Sequence, residues 1–270
     1  MTTLELAFSP CPNDTFVFHA WTHGLIAGAP DTKVTFADVD VTNTAAEQGR
    51  FDVVKVSYAA LPWLLADYRL LPCGGALGRG CGPLVLAGDD RADLDGARVA
   101  VPGERTTAYL LMRLWAAGQS PACIQVVPFA EIMPGVHDGR FDAGLVIHEA
   151  RFTYPGFGLR ALADLGQWWE QSTGHAIPLG AILARRELDA MALTDVLRRS
   201  VDYAFAHPDA SAAFVAEHAD EMDPGVQRQH IELYVNEFSL DLGEEGYAAI
   251  ELLLDRAHRA GLVPAFGALR

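Results

Sequence analysis

The chain has 270 residues, half of them hydrophobic and 20% charged, which supplies the core of one large domain or two modest lobes and excludes a disordered linker. Thirty-five acidic residues stand against 20 Lys and Arg, a formal charge of -15 with no basic stripe to offset it, so nucleic acid is excluded as a partner. No window approaches the ~20 apolar residues of a bilayer span, and no cationic segment precedes the short apolar run at the N-terminus, so the expectation is a cytoplasmic protein without signal peptide or membrane span.

Short apolar runs alternate with helix-period segments, the pattern of an α/β protein with mostly parallel sheets. Leu4 to Phe8 reads as a strand. Two prolines in Ser9-Pro10-Cys11-Pro12-Asn13-Asp14 stop it, and Asn13 or Asp14 is a suitable N-cap for a helix from Thr15 to Ile26. Val34 to Val41 is the next strand, Asn43 caps a short helix ending near Gly49, Phe51 to Val56 is a strand, and Tyr58 to Ala66 is helical. Gly74 to Cys81 and Gly82 hold five glycines in nine residues; the Lys-Ser or Lys-Thr of a P-loop is missing, so a flexible connection or a close approach of backbone to a ligand is expected. A strand around Val99, a helix from Thr106 to Ala117, a strand at Ile124 to Val127, a short helix at Ala130 to His137 and a strand at Ala143 to Ile147 follow. From Glu187 to Ala260 the pattern is almost wholly helical, broken at His207-Pro208, Asp223-Pro224 and Asp241 to Gly246.

One echo organises the chain: Gly49-Arg50-Phe51-Asp52 and its strand reappear ninety positions on as Gly139-Arg140-Phe141-Asp142 and its strand. Two similar lobes follow, one of residues 1–90 plus 176–270 and one of 91–175, with crossings near Gly88 to Asp93 and Gly174 to Leu179 and a substrate cleft between them. Ligands of open parallel sheets sit beyond the carboxyl ends of the strands, where Ser57 and Tyr58 fall in one lobe and His148 in the other.

His148 is the leading candidate for chemistry, since a strand end holds an imidazole rigidly and its ordinary pKa suits proton transfer. A satisfied structural histidine is the other reading. Period two places Gly144, Val146 and His148 on one face and Glu149 on the other, so Glu149 is not taken as its partner. Around Thr106 and Thr107 a loop feeds a helix, where N–H groups and hydroxyls make either an anion seat or an ordinary N-cap. Lys55 and Ser57 share a strand face; Lys55 either meets the ligand or snorkels to solvent. Trp168-Trp169 reads as packing. Cys11, Cys73, Cys81 and Cys123 form no Cys-x-x-Cys pair and have no His at ligand spacing, which argues for reduced packing thiols and against zinc or disulfides.

Six segments taken together, SPCPNDTF (Ser9–Phe16), KVSYAA (Lys55–Ala60), GGALGRGCGPLV (Gly74–Val85), VAVPGERTTAYLL (Val99–Leu111), HEARFTYP (His148–Pro155) and PLGAILARREL (Pro178–Leu188), resemble the 1,4-dihydroxy-6-naphthoate synthase family of the futalosine route to menaquinone. The resemblance runs from Ser9 to about Ser239. It implies a two-lobed periplasmic-binding-protein fold of type 2 used as a cytoplasmic lyase, which converts cyclic dehypoxanthinylfutalosine to 1,4-dihydroxy-6-naphthoate with release of dihydroxyacetone. It implies no metal, no redox cofactor and no obligate protein partner, only a small-molecule carboxylate substrate. By matching motif, His148 is the proton acceptor, and Lys55, Val56, Ser57, Thr107 and Ala108 hold substrate, with Asn43 and Thr106 as further contacts. Two alternatives stay open: a chorismate-dehydrating enzyme of the same pathway, and a non-catalytic binding protein for a carboxylate ligand.

Overall fold

A computed structural model describes residues 3–88, 90–220 and 222–270. In chain order the elements are β1 (Leu4–Phe8), α1 (Pro12–Thr22), β2 (Thr32–Phe36), α2 (Val39–Glu47), β3 (Val53–Ser57), α3 (Leu61–Leu64), β4 (Tyr68–Gly78) and β5 (Leu84–Ala87). There follow β6 (Arg98–Val101), α4 (Thr107–Trp115), β7 (Cys123–Val126), α5 (Phe129–His137), β8 (Ala143–Val146), α6 (Ala150–Thr153), β9 (Arg160–Asp164) and α7 (Leu165–Thr173). The chain closes with β10 (Ile177–Arg185), α8 (Ala190–Ala206), α9 (Ala212–His218), α10 (Pro224–Tyr234), α11 (Glu237–Leu240) and α12 (Gly243–Arg259). No helix among the described residues is long and apolar enough to cross a membrane.

The chain divides into two compact units, Met1–Gly78 with Pro178–Arg270, and Arg79–Ile177. The first crossing therefore precedes residues 79–90, which the sequence pattern had assigned to the larger lobe. The reason is β5, which lies between β8 and β9 in the second unit's sheet and cannot belong to the first.

Each unit carries one five-stranded mixed sheet, in the orders β2-β1-β3-β10-β4 and β7-β6-β8-β5-β9. In both, the first three strands run parallel (β1 with β2 and β3, β6 with β7 and β8), and the fourth, β10 or β5, is antiparallel to the third. The sequence periodicity locates the parallel triplets and misses β4, β5, β9 and β10. In the first unit the core is built from Leu6, Phe8, Phe18, Ile182, Leu197 and their neighbours, with Phe8 stacked on Phe18 at 4.4 Å. In the second, Leu86, Ala100, Ile132, Val136 and Phe141 play the same part.

The sequence echo falls at the same place in both sheets, at the turn from α2 into β3 and from α5 into β8. Gly49 and Gly139 close their helices with φ of 65° and 72°, the left-handed conformation that favours glycine. Arg50 and Arg140 lie over the rings of buried Phe51 and Phe141 at 5.6 and 5.8 Å. Asp52 exchanges two hydrogen bonds with the backbone of Glu5: Glu5 N–H donates to its Oδ2 at 2.8 Å, and its own N–H donates to the Glu5 carbonyl at 2.9 Å. Asp142 does the same with Arg98, at 2.8 and 2.9 Å. The echo is thus a structural device that locks the third strand to the first.

The glycine-rich stretch has a structural reason for its glycines. Its first half is strand β4, and its second half is a turn whose backbone lies on the start of α7: a Cβ at Gly166 would stand 1.7 Å from the Cys81 carbonyl oxygen, and one at Gly82 2.9 Å from Gly166 Cα. Backbone approaches backbone here, and only glycine leaves the room.

Hydrogen bonds from the Arg98 guanidinium, with its backbone N–H, hold the Asp142 carboxyl down at about 2. Because the folded value lies below the ordinary carboxylate value, the stabilisation is complete above about pH 4 and is lost as pH falls toward 2. Asp142→Asn should cost about 1 kcal/mol at pH 7 after allowance for solvent screening of a partly exposed pair. Urea unfolding of both proteins checks this: the difference should shrink toward zero by pH 2.

Candidate functional site

In the first unit, polar side chains gather at the carboxyl ends of β1 and β3. Helix α1 starts one turn earlier than the sequence suggests, with Cys11 at its N-cap and Pro12 as first residue, where a missing N–H costs nothing. Asn13 and Asp14 consequently are not caps; they lie in the first turn with their side chains buried. The Asp14 carboxylate accepts from four directions: at Oδ1 from the Lys55 ammonium and from Asn13 Nδ2 (2.7 Å), at Oδ2 from the Ser9 hydroxyl (2.7 Å) and backbone N–H (3.3 Å). Asn13 Oδ1 in turn accepts from His230 Nε2 of α10 at 2.9 Å.

Lys55 does not snorkel. Its side chain is 7% exposed and that of Asp14 3%, so the two charges are compensated inside the unit. Its stem passes over Gly180 of β10, where an added Cβ would stand 2.8 Å from Lys55 Cε. Ser57 ends β3 with its N–H donating to Asn43 Oδ1 at 2.8 Å, while Asn43 Nδ2 donates to its hydroxyl at 3.1 Å. Asn43 is therefore not the predicted helix cap: it lies inside α2, fully buried, as the residue that orients Ser57. The Val56 side chain is wholly in the core opposite Ala181, which leaves only its backbone for contact with a ligand.

In the second unit, Thr106 is the N-cap of α4: its hydroxyl accepts from Tyr109 N–H at 3.1 Å and donates to the Gly103 carbonyl at 2.8 Å. Thr107 and Ala108 follow in the first turn and are buried. Strand β8 ends at Val146, so the period-two assignment of faces stops short of His148. His148 instead sits in the turn leading to α6, at φ 55°, the one non-glycine residue with positive φ among those described. A non-glycine residue in this conformation costs on the order of 1–3 kcal/mol and persists where its surroundings over-determine it. Here Phe129, at the start of α5, meets the imidazole edge to face at 5.6 Å. Three residues on, Arg151 bonds Asp164 at 2.6 Å and the Gly82 carbonyl at 3.0 Å, while the other Asp164 oxygen caps α7. Arg151 thereby anchors the His148 turn to the glycine loop and to α7.

Sequence reasoning missed Ser9, Asn13, Asp14, His230 and Arg151. A lysine in a buried strand demands a counter-charge, which is the one available signal for Asp14; His230 is 217 residues from Asn13 and carries none. Trp169 packs as expected, fully buried with Nε1 donating to the Ala176 carbonyl at 3.1 Å.

The fold is that of the periplasmic binding proteins: the aliphatic sulphonate binding protein of Escherichia coli superposes with a TM-score of 0.68 at 17% identity, covering 99% of this chain and 90% of the other. Protein AF1704 of Archaeoglobus fulgidus superposes with a TM-score of 0.91 at 31% identity over 97% of this chain and 98% of its own. A family model described as menaquinone biosynthesis matches residues 4–259, and the chain belongs to that family. Two relatives carry the name 1,4-dihydroxy-6-naphthoate synthase. That of Streptomyces coelicolor is 63% identical over 98% of this chain and 96% of its own, and that of Thermus thermophilus 47% identical over 97% and 96%. The chain is accordingly an enzyme built on a binding-protein fold.

Cys11, Cys73 and Cys81 are buried and Cys123 is exposed. Burial pushes the thiols of Cys73 and Cys81 up to about 12, so neither carries thiolate at neutral pH. Titration of the native protein with a disulfide reagent at pH 7.5 should therefore show one fast thiol, lost in Cys123→Ser, and the remainder only after denaturation.

Proposed function

We propose that this enzyme is the lyase that converts cyclic dehypoxanthinylfutalosine to 1,4-dihydroxy-6-naphthoate with release of dihydroxyacetone, as a soluble cytoplasmic protein with a small-molecule carboxylate as its substrate. The observation that carries the reading is the near-full-length match to two relatives named for that product. His148 is the general base. Removal of a proton next to a carbonyl yields an enolate, and carbon–carbon scission followed by aromatisation makes the sequence downhill. The support for His148 is its strained turn, braced by Phe129 and through Arg151, since backbone strain outside glycine is concentrated at functional positions. In the first unit Ser57, oriented by Asn43, contacts substrate with Lys55 and the Val56 backbone; in the second, the start of α4 at Thr106, Thr107 and Ala108 is the contact. The Thr106 hydroxyl is engaged in its cap, so the substrate contact proposed at this helix start falls to Thr107 and Ala108.

A chorismate-dehydrating enzyme of the same pathway is the second reading, since the matching family model is described only as menaquinone biosynthesis. Incubating the purified protein with cyclic dehypoxanthinylfutalosine and following naphthoate fluorescence, and separately with chorismate and following its consumption by chromatography, distinguishes the readings; naphthoate should form from the first substrate and chorismate should remain unchanged. His148→Asn should lower turnover by about 10²- to 10⁴-fold while calorimetric affinity for substrate stays within a few-fold. His148→Gly should lose turnover equally but retain more thermal stability than His148→Ala, because glycine tolerates the positive φ and alanine does not. Near-normal turnover in these variants would remove His148 from the mechanism.

A further inference from the structure

Lys55 has three N–H donors on its ammonium, and among the described residues one acceptor reaches it, the Asp14 carboxylate. The carboxylate is itself fixed from behind. Asp14 accepts only, so Asn13 must turn its Nδ2 toward it and its Oδ1 away, and that oxygen must then be met by a donor, which is His230 Nε2–H. The Ser9 hydroxyl and N–H hold the second carboxylate oxygen. A line of polarity thus runs from His230 on α10 through Asn13 and Asp14 to Lys55 on β3. It sets the direction of the ammonium and neutralises its charge, and the room left by the bare Gly180 is where the lysine stem lies.

Taking Lys55 as a substrate contact, which rests on the function proposed above, we infer that Asp14 makes Lys55 a hydrogen-bond donor to a neutral oxygen of the substrate, a carbonyl or hydroxyl, and not a seat for its carboxylate. A lone ammonium would attract a carboxylate. A net-neutral pair still offers its remaining N–H groups, but a second carboxylate at Lys55 meets the repulsion of Asp14 in surroundings that screen little. Asp14 is then a positioning and specificity-determining residue, and Asn13 and His230 brace it.

The test uses binding of 1,4-dihydroxy-6-naphthoate and its methyl ester, held reduced, to the full chain by calorimetry. Lys55→Met with Asp14→Asn, which removes both charges so that no bare carboxylate is left behind, should weaken acid and ester alike, by about ten-fold or more for one charge-assisted bond. Asp14→Asn leaves Lys55 uncompensated and should raise the preference for acid over ester by on the order of ten-fold. If that variant does not fold, Asp14→Asn with Lys55→Gln restores a neutral donor pair and should keep the wild-type ratio of acid to ester affinity. Selective loss of the acid in either double variant would overturn the inference, and so would affinities unchanged in every variant, which would reduce the pair to a structural one. Absence of naphthoate formation by the wild-type protein overturns the proposed reaction alone, because the affinity ratios need no turnover.

Discussion

A carboxylate at a turn, bonded to a backbone N–H at the amino end of a neighbouring strand, sets the register on which both sheets depend. Asp52 binds Glu5 and Asp142 binds Arg98 in the same two-bond exchange, so the third strand of each sheet is locked against the first. A slip of one residue would exchange the faces of a strand whose every side chain is buried, as in β3 and β8. With the register held at the amino end, the carboxyl ends of these strands are placed too, and those ends carry Ser57 in one unit and lead to His148 in the other.

A second constraint shapes the first unit's polar cluster. A charged lysine in a buried strand is tolerated only beside a counter-charge with its own hydrogen bonds satisfied. The loop after β1 therefore folds so that α1 begins at Pro12 and delivers Asp14 in its first turn, where the helix dipole also favours a carboxylate. Ser9, Asn13 and His230 supply the remaining donors to that arrangement, and Asn43 serves Ser57 in a similar way. Residues that position other residues outnumber those that the motifs alone would single out.

The second unit holds its candidate base by strain rather than by burial. His148 sits half-exposed at φ 55°, and the network of Arg151, Asp164 and the glycine turn keeps the chain in that conformation. The glycines of that turn, which resemble a phosphate loop in sequence, serve the close approach of Cys81 and Gly82 to α7. The features that set this unit apart thus lie in its turns, while its sheet is that of a periplasmic-binding fold.

By itself the sequence determined the parallel triplet of each sheet, the repeat that enters β3 and β8, the helical C-terminal third with its breaks at His207-Pro208 and Asp223-Pro224, and the segments that hold His148, Lys55, Ser57 and Thr107. Each of these is written in local periodicity, turn residues or short motifs, which act over a few neighbouring positions. Only the tertiary structure decided that β5 belongs to the second unit, that β10 returns antiparallel beside β3, and that Asn43 lies inside a helix facing Ser57. It alone joined Lys55 to Asp14, 41 positions away, and Asn13 to His230, 217 positions away. The physical reason is common to all of these. A buried strand inside a sheet has no exposed face to give it a period, and a buried polar group takes its partner from whichever distant segment the packing brings within hydrogen-bond reach.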